Sequence, residues 1–475
     1  MTNKKGDVAK RPVVFKRPIR PGAKTFIITA AQNATPVHKE FWECLQTARQ
    51  ALDAELLVVP IRYKNPTSRW TGSQMNLELW AKEVEPFLYN ARRLMNKNLL
   101  LLGDIKTQPT ASDPLSGFES ISGQESAIIA HTKLAMRSIA TPSNKMAKII
   151  TTTGACTLPN YTDSNAGKKG EFHHALAALI VEIDGPIFHI RQVNYDKASG
   201  SFTDLETRYL PGKATRAPRP LALVMGDTHV DFIDSKVESA TDEIIGQLEP
   251  HHLVWHDLLD GYSANPHHAG NPFNSFAKRQ AGADRVKEEV FRAVDHVTKK
   301  TPPDVMSIIV SSNHDDFLRR WVISTDWRSD PTNAEFYLAT AWAMIRDTKM
   351  GPGGTEYPSP FPHWFKLRQP DPRFRCLGGN ESFVLGGVEL GMHGDRGPNG
   401  SRGSAKNLRR IGVRSIIGHS HSPAIEEGCY QVGTSTRLRL EYNSGPSSWL
   451  NAHCVLHADG KRQLIIIVNG KWRLQ

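Results

Sequence analysis

The sequence is short of paired cysteines, long apolar runs and glycine-rich nucleotide loops, and each shortage excludes something. Its five cysteines, Cys44, Cys156, Cys376, Cys429 and Cys454, stand singly with no CxxC pair. That argues against a disulfide framework or a thiolate metal site and for a reducing compartment, with the cytoplasm the expected location. No apolar run approaches the roughly 18 residues of a membrane helix. The charged N-terminus also lacks the apolar stretch of a signal peptide, so no membrane partner is expected. GxGxxG and GxxxxGK[ST] are both absent, so neither dinucleotide nor P-loop chemistry is indicated. No repeat marks a solenoid.

What is present is ordinary for a globular chain of 475 residues, with 39% hydrophobic and 23% charged residues. The length predicts two or three domains. The net charge is +11, and residues 1–24 hold eight Lys/Arg against one acid, Asp7. Such a Pro- and Gly-containing arm is either an attractor of polyanions or a solvated tail.

After the arm, strands and helices alternate. Thr25–Ala31, Glu55–Ile61, Asn98–Gly103, Lys148–Thr152 and Ala178–Ile183 read as strands, Val37–Leu52 and Leu77–Tyr89 as helices. This predicts an α/β accessory domain over 25–195 with a mainly parallel sheet. Asp104 reads as a turn residue after a strand, and His173-His174 as a helix start without metal. Residues 196–220, rich in Gly, Ser, Pro and basic residues, read as a linker, which leaves 221–475 as a second domain.

In that second part, apolar strands end repeatedly in metal-ligand residue types. Leu221–Met225 runs into Asp227 and His229, and Leu253–Trp255 into Asp257 and Asp260. Ser307–Val310 runs into Asn313 and His314, Val388–Met392 into His393, and Ser415–Ile417 into His419 and His421. Strand carboxyl ends are where loops converge on a site in an α/β sheet. D-x-H and H-x-H spacing aims two side chains of one strand end at the same pocket. Carboxylate, imidazole and amide oxygen suit Mn2+, Fe2+, Zn2+ or similar ions. Two such ions about 3.5–4 Å apart hold a bridging hydroxide and neutralise phosphate oxygens.

These five segments resemble the signature of the calcineurin-like metallophosphoesterase superfamily: D-x-H, GD-x-x-D, GNH[DE], a lone His and GH-x-H. The resemblance implies a C-terminal α/β/β/α sandwich with two mixed sheets. It implies that Asp227, His229 and His421 bind one metal, that Asn313, His393 and His419 bind the other, and that Asp257 bridges them. His314 resembles the family's catalytic histidine, and Asp260 a carboxylate that orients it. His256 and Ser312 depart from the pattern, each standing where the family usually has Gly. The implied cofactors are two divalent ions, Mn2+ first, with Mg2+, Fe2+, Zn2+ or Ni2+ as alternatives.

Val230, Gly261 and Asp315 depart from the protein Ser/Thr phosphatase pattern, and Asn313-His314-Asp315 is closer to the SbcD-like nuclease branch. An insertion after Asp260 brings His267, His268, Lys278 and Arg279 toward the metal-side loops. After His393 a Gly-rich stretch from Arg396 to Arg414 carries six Lys/Arg and no acid. Arg396 and Arg402 are the expected phosphate contacts, with a helix starting at Ser404. The leading expectation is therefore a DNA nuclease. The layout also resembles phage-encoded metallophosphoesterases of early host-DNA degradation, which would place the protein in the host cytoplasm. A phosphomonoesterase, a cyclic-nucleotide phosphodiesterase, or a scaffold with a vestigial site remain the alternatives, and a homo-oligomer stays open.

Overall fold

The computed structural model describes residues 15–63, 79–142, 145–265, 268, 270–351, 354–356, 358–440 and 443–474. The first 14 residues of the arm, the start of the Leu77–Tyr89 segment and His267 lie outside the described residues. The architecture is mixed α/β.

A six-stranded sheet carries four parallel strands, Phe374–Cys376, Met306–Ile309, His252–Trp255 and Ala222–Val224, followed by antiparallel Asn451–Leu456 and Arg462–Ile467. Alternation along these short strands buries both faces. Leu223, Leu253, Trp255 and Ile309 face one core, whereas Val224, Val254 and Ile308 face another. Two helices cover the first face. Ser235–Leu248 buries Val237, Ala240, Thr241, Ile244, Ile245 and Leu248, and Val286–Lys300 buries Val286, Val290, Ala293, Val294 and Val297. Both stripes follow the i, i+3/i+4 spacing of an amphipathic helix. Asp234 caps the first helix, its Oδ1 accepting from the Lys236 N–H at 2.9 Å.

The second face shares its core with a ten-stranded sheet and with a four-stranded sheet in the order Glu55–Ile61, Thr25–Gln32, Ala177–Asp184, Ile187–Asn194. The ten-stranded sheet joins distant parts of the chain. Ala135–Ile139 pairs antiparallel with Ala424–Glu426, in the register Met136↔Ile425. A buried ion cluster ties the four-stranded sheet to the six-stranded one and to the strand Phe202–Asp204. Arg191 binds Glu182 (Nη1–Oε2, 2.8 Å) and Asp204 (Nε–Oδ1, 2.8 Å), and Gln463 donates to Asp204 at 2.9 Å.

Several sequence expectations are corrected here. The 25–195 region is mixed, not mainly parallel: Thr25–Gln32 with Glu55–Ile61, and Ser126–Ile129 with Leu99–Leu102 and Lys148–Thr152, are parallel, whereas Ala177–Asp184 runs antiparallel to Thr25–Gln32 and turns through Gly185-Pro186 into a hairpin. Gly185 supplies the φ of 56° that this turn needs. Residues 196–220 are not an open linker but carry the three-stranded sheet Phe202–Asp204, Thr207–Leu210, Lys213–Arg216. Within 79–89 the only helical element is one 3-10 turn, Glu85–Phe87, containing Pro86. His173 ends a helix instead of starting one. The Ser164 hydroxyl accepts from the Gly167 N–H and begins the helix at Asn165. The described end of the basic arm is held: Arg20 pairs with Asp53 at 2.6 Å, and Arg17 pairs with Glu55. Asp104 sits in a turn after Leu99–Leu102, as expected, and meets Arg92 at 3.3 Å.

Candidate metal centre

The carboxyl ends of the parallel strands in the six-stranded sheet meet the loops after Val388–Glu389 and Ser415–Ile417 of the ten-stranded sheet. Backbone bonds fix the meeting point. His229 N–H donates to Asp257 O (2.7 Å), Gly418 N–H to His393 O (2.7 Å) and Asp227 N–H to Gly433 O (3.0 Å). Four of the residues so placed, His229, Asp257, His419 and His421, have φ of 41°, 42°, 78° and 57°. Non-glycine residues adopt this region at a cost of order 1–3 kcal/mol each, and such strain gathers at functional sites.

The side chains converge in three groups, one of them His229, Asp260 and His314. Asp227, His229, Asp257 and His421 bring ligand atoms within 4.8 Å of one another, and so do Asp257, His393 and His419. Asp257 belongs to both of these latter groups. His421 Nε2 lies 3.1 Å from Asp227 Oδ2 and 3.1 Å from His229 Nε2. On the other side His393 Nε2 lies 3.1 Å from Asp257 Oδ2, and His419 Nδ1 lies 3.0 Å from Asn313 Oδ1. All seven expected ligands are thus together.

The donor set fits a cation. Asp227 and Asp257 are buried, and neither Asp227 oxygen nor Asp257 Oδ1 has a hydrogen-bond partner. Asp227 Oδ2 and Asp257 Oδ2 face imidazole nitrogens of His421 and His393. Buried carboxylates left in this way demand positive charge, as protons or as a metal. Burial pushes the Asp257 carboxyl up, but His393, His314 and His229 hold it well below the usual carboxylate range. Burial likewise pushes His393 down, yet Asp257 and Asp227 raise it to about 9. His229 is also raised, burial being outweighed by Asp260 and Asp257. At His421 and His419 burial wins over the nearby carboxylates, and both are lowered. The buried His/Asp groups can hold a metal ion.

Asp260 and His314 meet differently from the expectation. The Asp260 carboxylate approaches His229 Nδ1 at 3.1 Å, while its backbone carbonyl takes His314 Nδ1 at 2.6 Å. A carbonyl only accepts, so Nδ1 of His314 carries the proton on that bond. Arg396 lines a cavity of 320 Å³ together with His393 and Ser312. Arg402 pairs with Arg396 through the backbone but does not line that cavity. The helix after Ser404 is one turn, Ala405–Leu408. Lys278 points inward, its Nζ 4.9 Å from the Tyr262 ring centroid, and gives no surface charge there.

Three supporting residues carried no motif. His256 is buried, with Nδ1 3.3 Å from His393 Nδ1, and burial and His393 push it down to about 4. His453 Nδ1 accepts from the Gly226 N–H at 2.9 Å, which anchors the turn before Asp227. The Trp449 ring lies 4.1 Å from the His421 ring centroid. The histidine at position 256, where the resembled family usually has Gly, is the one available signal. His453 sits in an apolar strand and Trp449 in a loop, and neither position has a spacing that marks it.

No family model matches the sequence, and no solved structure matches it. Protein A1 of Escherichia phage T5 is 30% identical over 466 residues, covering 94% of this chain and 83% of that protein. The chain belongs to the Protein A1 family. Because the match runs across both the 25–195 region and the metal centre, family membership applies to the two parts as one unit. Among the described residues no helix is long and apolar enough to cross a membrane.

Proposed function

We propose that this chain is a two-metal phosphodiesterase that hydrolyses the DNA backbone in the host cytoplasm, with a calcineurin-like centre and Mn2+ as the first candidate metal. The observation that carries the reading is one carboxylate, Asp257, shared by two ligand clusters with His314 beside them. One ion would be held by Asp227, His229, His421 and Asp257, the other by Asn313, His393, His419 and Asp257. Divalent ions there would supply Lewis-acid activation of water and of phosphate.

The protein's own groups do the rest. The Asp260 carboxylate fixes the ring of His229 through Nδ1, which leaves Nε2 for the ligand pocket. His314, held at Nδ1 by the Asp260 carbonyl, has Nε2 free to exchange a proton. His314 gives its Nε2 proton to the oxygen that leaves when the P–O bond breaks, while water forms the new P–O bond and its released proton replaces the one given up. The basic N-terminal arm and Arg396 beside His393 support a polyanionic substrate. Arg402 stands on the exposed side of the same loop and supports it less directly.

Activity on linear DNA and on a chromogenic phosphomonoester, each with Mn2+, tests the reading. DNA turnover lost in His314→Ala and in Asp257→Asn is the expected result. Monoester turnover with intact DNA would instead assign a small-molecule phosphatase.

A further inference from the structure

A cavity of 450 Å³ opens at the end of the strand Ser415–Ile417 that lies away from the metal centre. Gly418 and His419 follow that strand, whereas Arg414 precedes it and lines the cavity. Five cations line this space, Lys133, Lys197, Arg414, Lys461 and Arg462, against two carboxylates, Asp196 and Glu427. Both carboxylates are engaged. Glu427 binds Lys133 at 2.6 Å and Arg409 at 3.5 Å. Asp196 lies 3.7 Å from Lys461 and accepts from the Ser199 N–H at 2.9 Å. Among the described residues no carboxylate pairs with Lys197, Arg414 or Arg462.

Arg462 makes the strongest demand for an anion. Its Nη1 donates to the Ser415 carbonyl at 3.0 Å and the Gly428 carbonyl at 2.5 Å, and its guanidinium lies 4.1 Å from the Tyr430 ring centroid. These contacts fix the guanidinium without neutralising it. Burial pushes it below its ordinary value, and Arg414 beside it adds to the push. A half-buried cation next to a second one is relieved by a bound anion, and a guanidinium fork matches phosphate.

The rest of the lining has a different character. Leu134, Leu158, Pro159 and Leu176 give an apolar stretch, and Phe172, 84% exposed, stands at the rim. An exposed aromatic ring beside cations offers a base a stacking face while the cations take its phosphate. A volume of 450 Å³ falls within the roughly 300–1,000 Å³ of small-ligand sites, which suits one nucleotide.

We propose that this cavity binds a free 5′-mononucleotide, its phosphate held by Lys197, Arg414 and Arg462 and its base packed against Phe172. The site stands apart from the metal centre and does not depend on the phosphodiesterase reading.

Calorimetric titration of the full chain, once with Mn2+ and once with EDTA, tests it with deoxyadenosine monophosphate, deoxyadenosine, inorganic phosphate and a single-stranded oligonucleotide, the last in EDTA only. The monophosphate should bind with Kd below ~1 mM in both conditions, and deoxyadenosine at least ~10-fold more weakly. Lys197 and Arg414 are exposed, so Lys197→Glu combined with Arg414→Glu should stay folded by circular dichroism and weaken the monophosphate ~10-fold or more. Phe172→Ala should weaken the monophosphate and leave inorganic phosphate unchanged. No binding of the monophosphate, equal affinity for deoxyadenosine, or wild-type affinity in the double variant overturns the proposal. Binding that appears only with Mn2+ assigns the nucleotide to the metal centre and overturns it as well. An oligonucleotide held through Lys197 and Arg414 while the monophosphate stays unbound makes the cavity part of a strand surface and overturns it too.

Discussion

A single methyl group at Gly418 probes the metal centre with little else disturbed. The Gly418 backbone is fixed by its N–H bond to His393 O, and its φ lies outside the left-handed region, so alanine is excluded by space alone. A Cβ there would stand 2.2 Å from Asp227 Oδ1, 3.0 Å from His256 Cγ and 3.1 Å from His256 Cβ. Relieving the first contact needs the Asp227 carboxylate to move roughly 1 Å, because carbon contacts settle near 3.5 Å. Overpacking of this kind costs about 1–3 kcal/mol. A shift of ~1 Å in a positioned group costs on the order of 100-fold in rate. Gly418→Ala should therefore lower the melting temperature modestly and metal affinity and turnover sharply, read by thermal melts with and without Mn2+ and by calorimetry. Gly246→Ala is the matched control. That glycine lies exposed in the helix Ser235–Leu248 with nothing within 4 Å, and alanine should stabilise by ~1 kcal/mol. Metal affinity and rate unchanged in Gly418→Ala would refute the placement of Asp227 as a ligand.

Other perturbations separate the parts of the account. Asp260→Asn keeps the shape but removes the charge facing His229, so Mn2+ affinity should fall ~10–100-fold. A loss confined to kcat at saturating metal would instead favour the carboxylate acting on His314. Arg191→Ala leaves Glu182 and Asp204 buried without their cation and should cost about 3–5 kcal/mol in urea unfolding; a cost under ~1 kcal/mol would mean the cluster does not join the sheets. Burial alone pushes His453 down to about 4. The unfolded chain binds that proton near pH 6.5, so stability is full above it and falls as pH drops toward about 4. The ceiling is about 3 kcal/mol for the 2.5 units between them. His453→Gln should flatten that part of the urea-midpoint profile, and an unaltered profile would show that His453 does not titrate there.

The ligand residues were legible because each follows a short apolar strand. Asp227 and His229 enter one cluster, whereas His419 and His421 enter two that share Asp257, and the left-handed backbone at His229, His419 and His421, not strand alternation, aims them there. The pairing of Ala135–Ile139 with Ala424–Glu426 was not legible, since periodicity records which face of a strand is buried and not which strand lies beside it. The same holds for the 196–220 segment. Its Gly, Ser and basic residues read as a connector, yet its three short strands leave Phe202 and Tyr209 in a core with Phe41. His256 and His453 hold ligands or ligand loops from positions that local spacing leaves unmarked. The cavity beside Arg462 draws Lys133, Lys197 and Arg414 from three separate stretches of chain. Charge counted along the sequence pointed instead to the arm, where Arg17 and Arg20 are tied to Glu55 and Asp53.

The central claim is that Asp257 joins two ion sites, and calorimetric titration of metal-free protein with Mn2+, checked by elemental analysis, addresses it most directly. The account predicts two ions per chain for the wild type and the loss of at least one in Asp257→Asn, with both proteins folded by circular dichroism. One ion or none in the wild type, or two bound with unchanged affinity in Asp257→Asn, would contradict it.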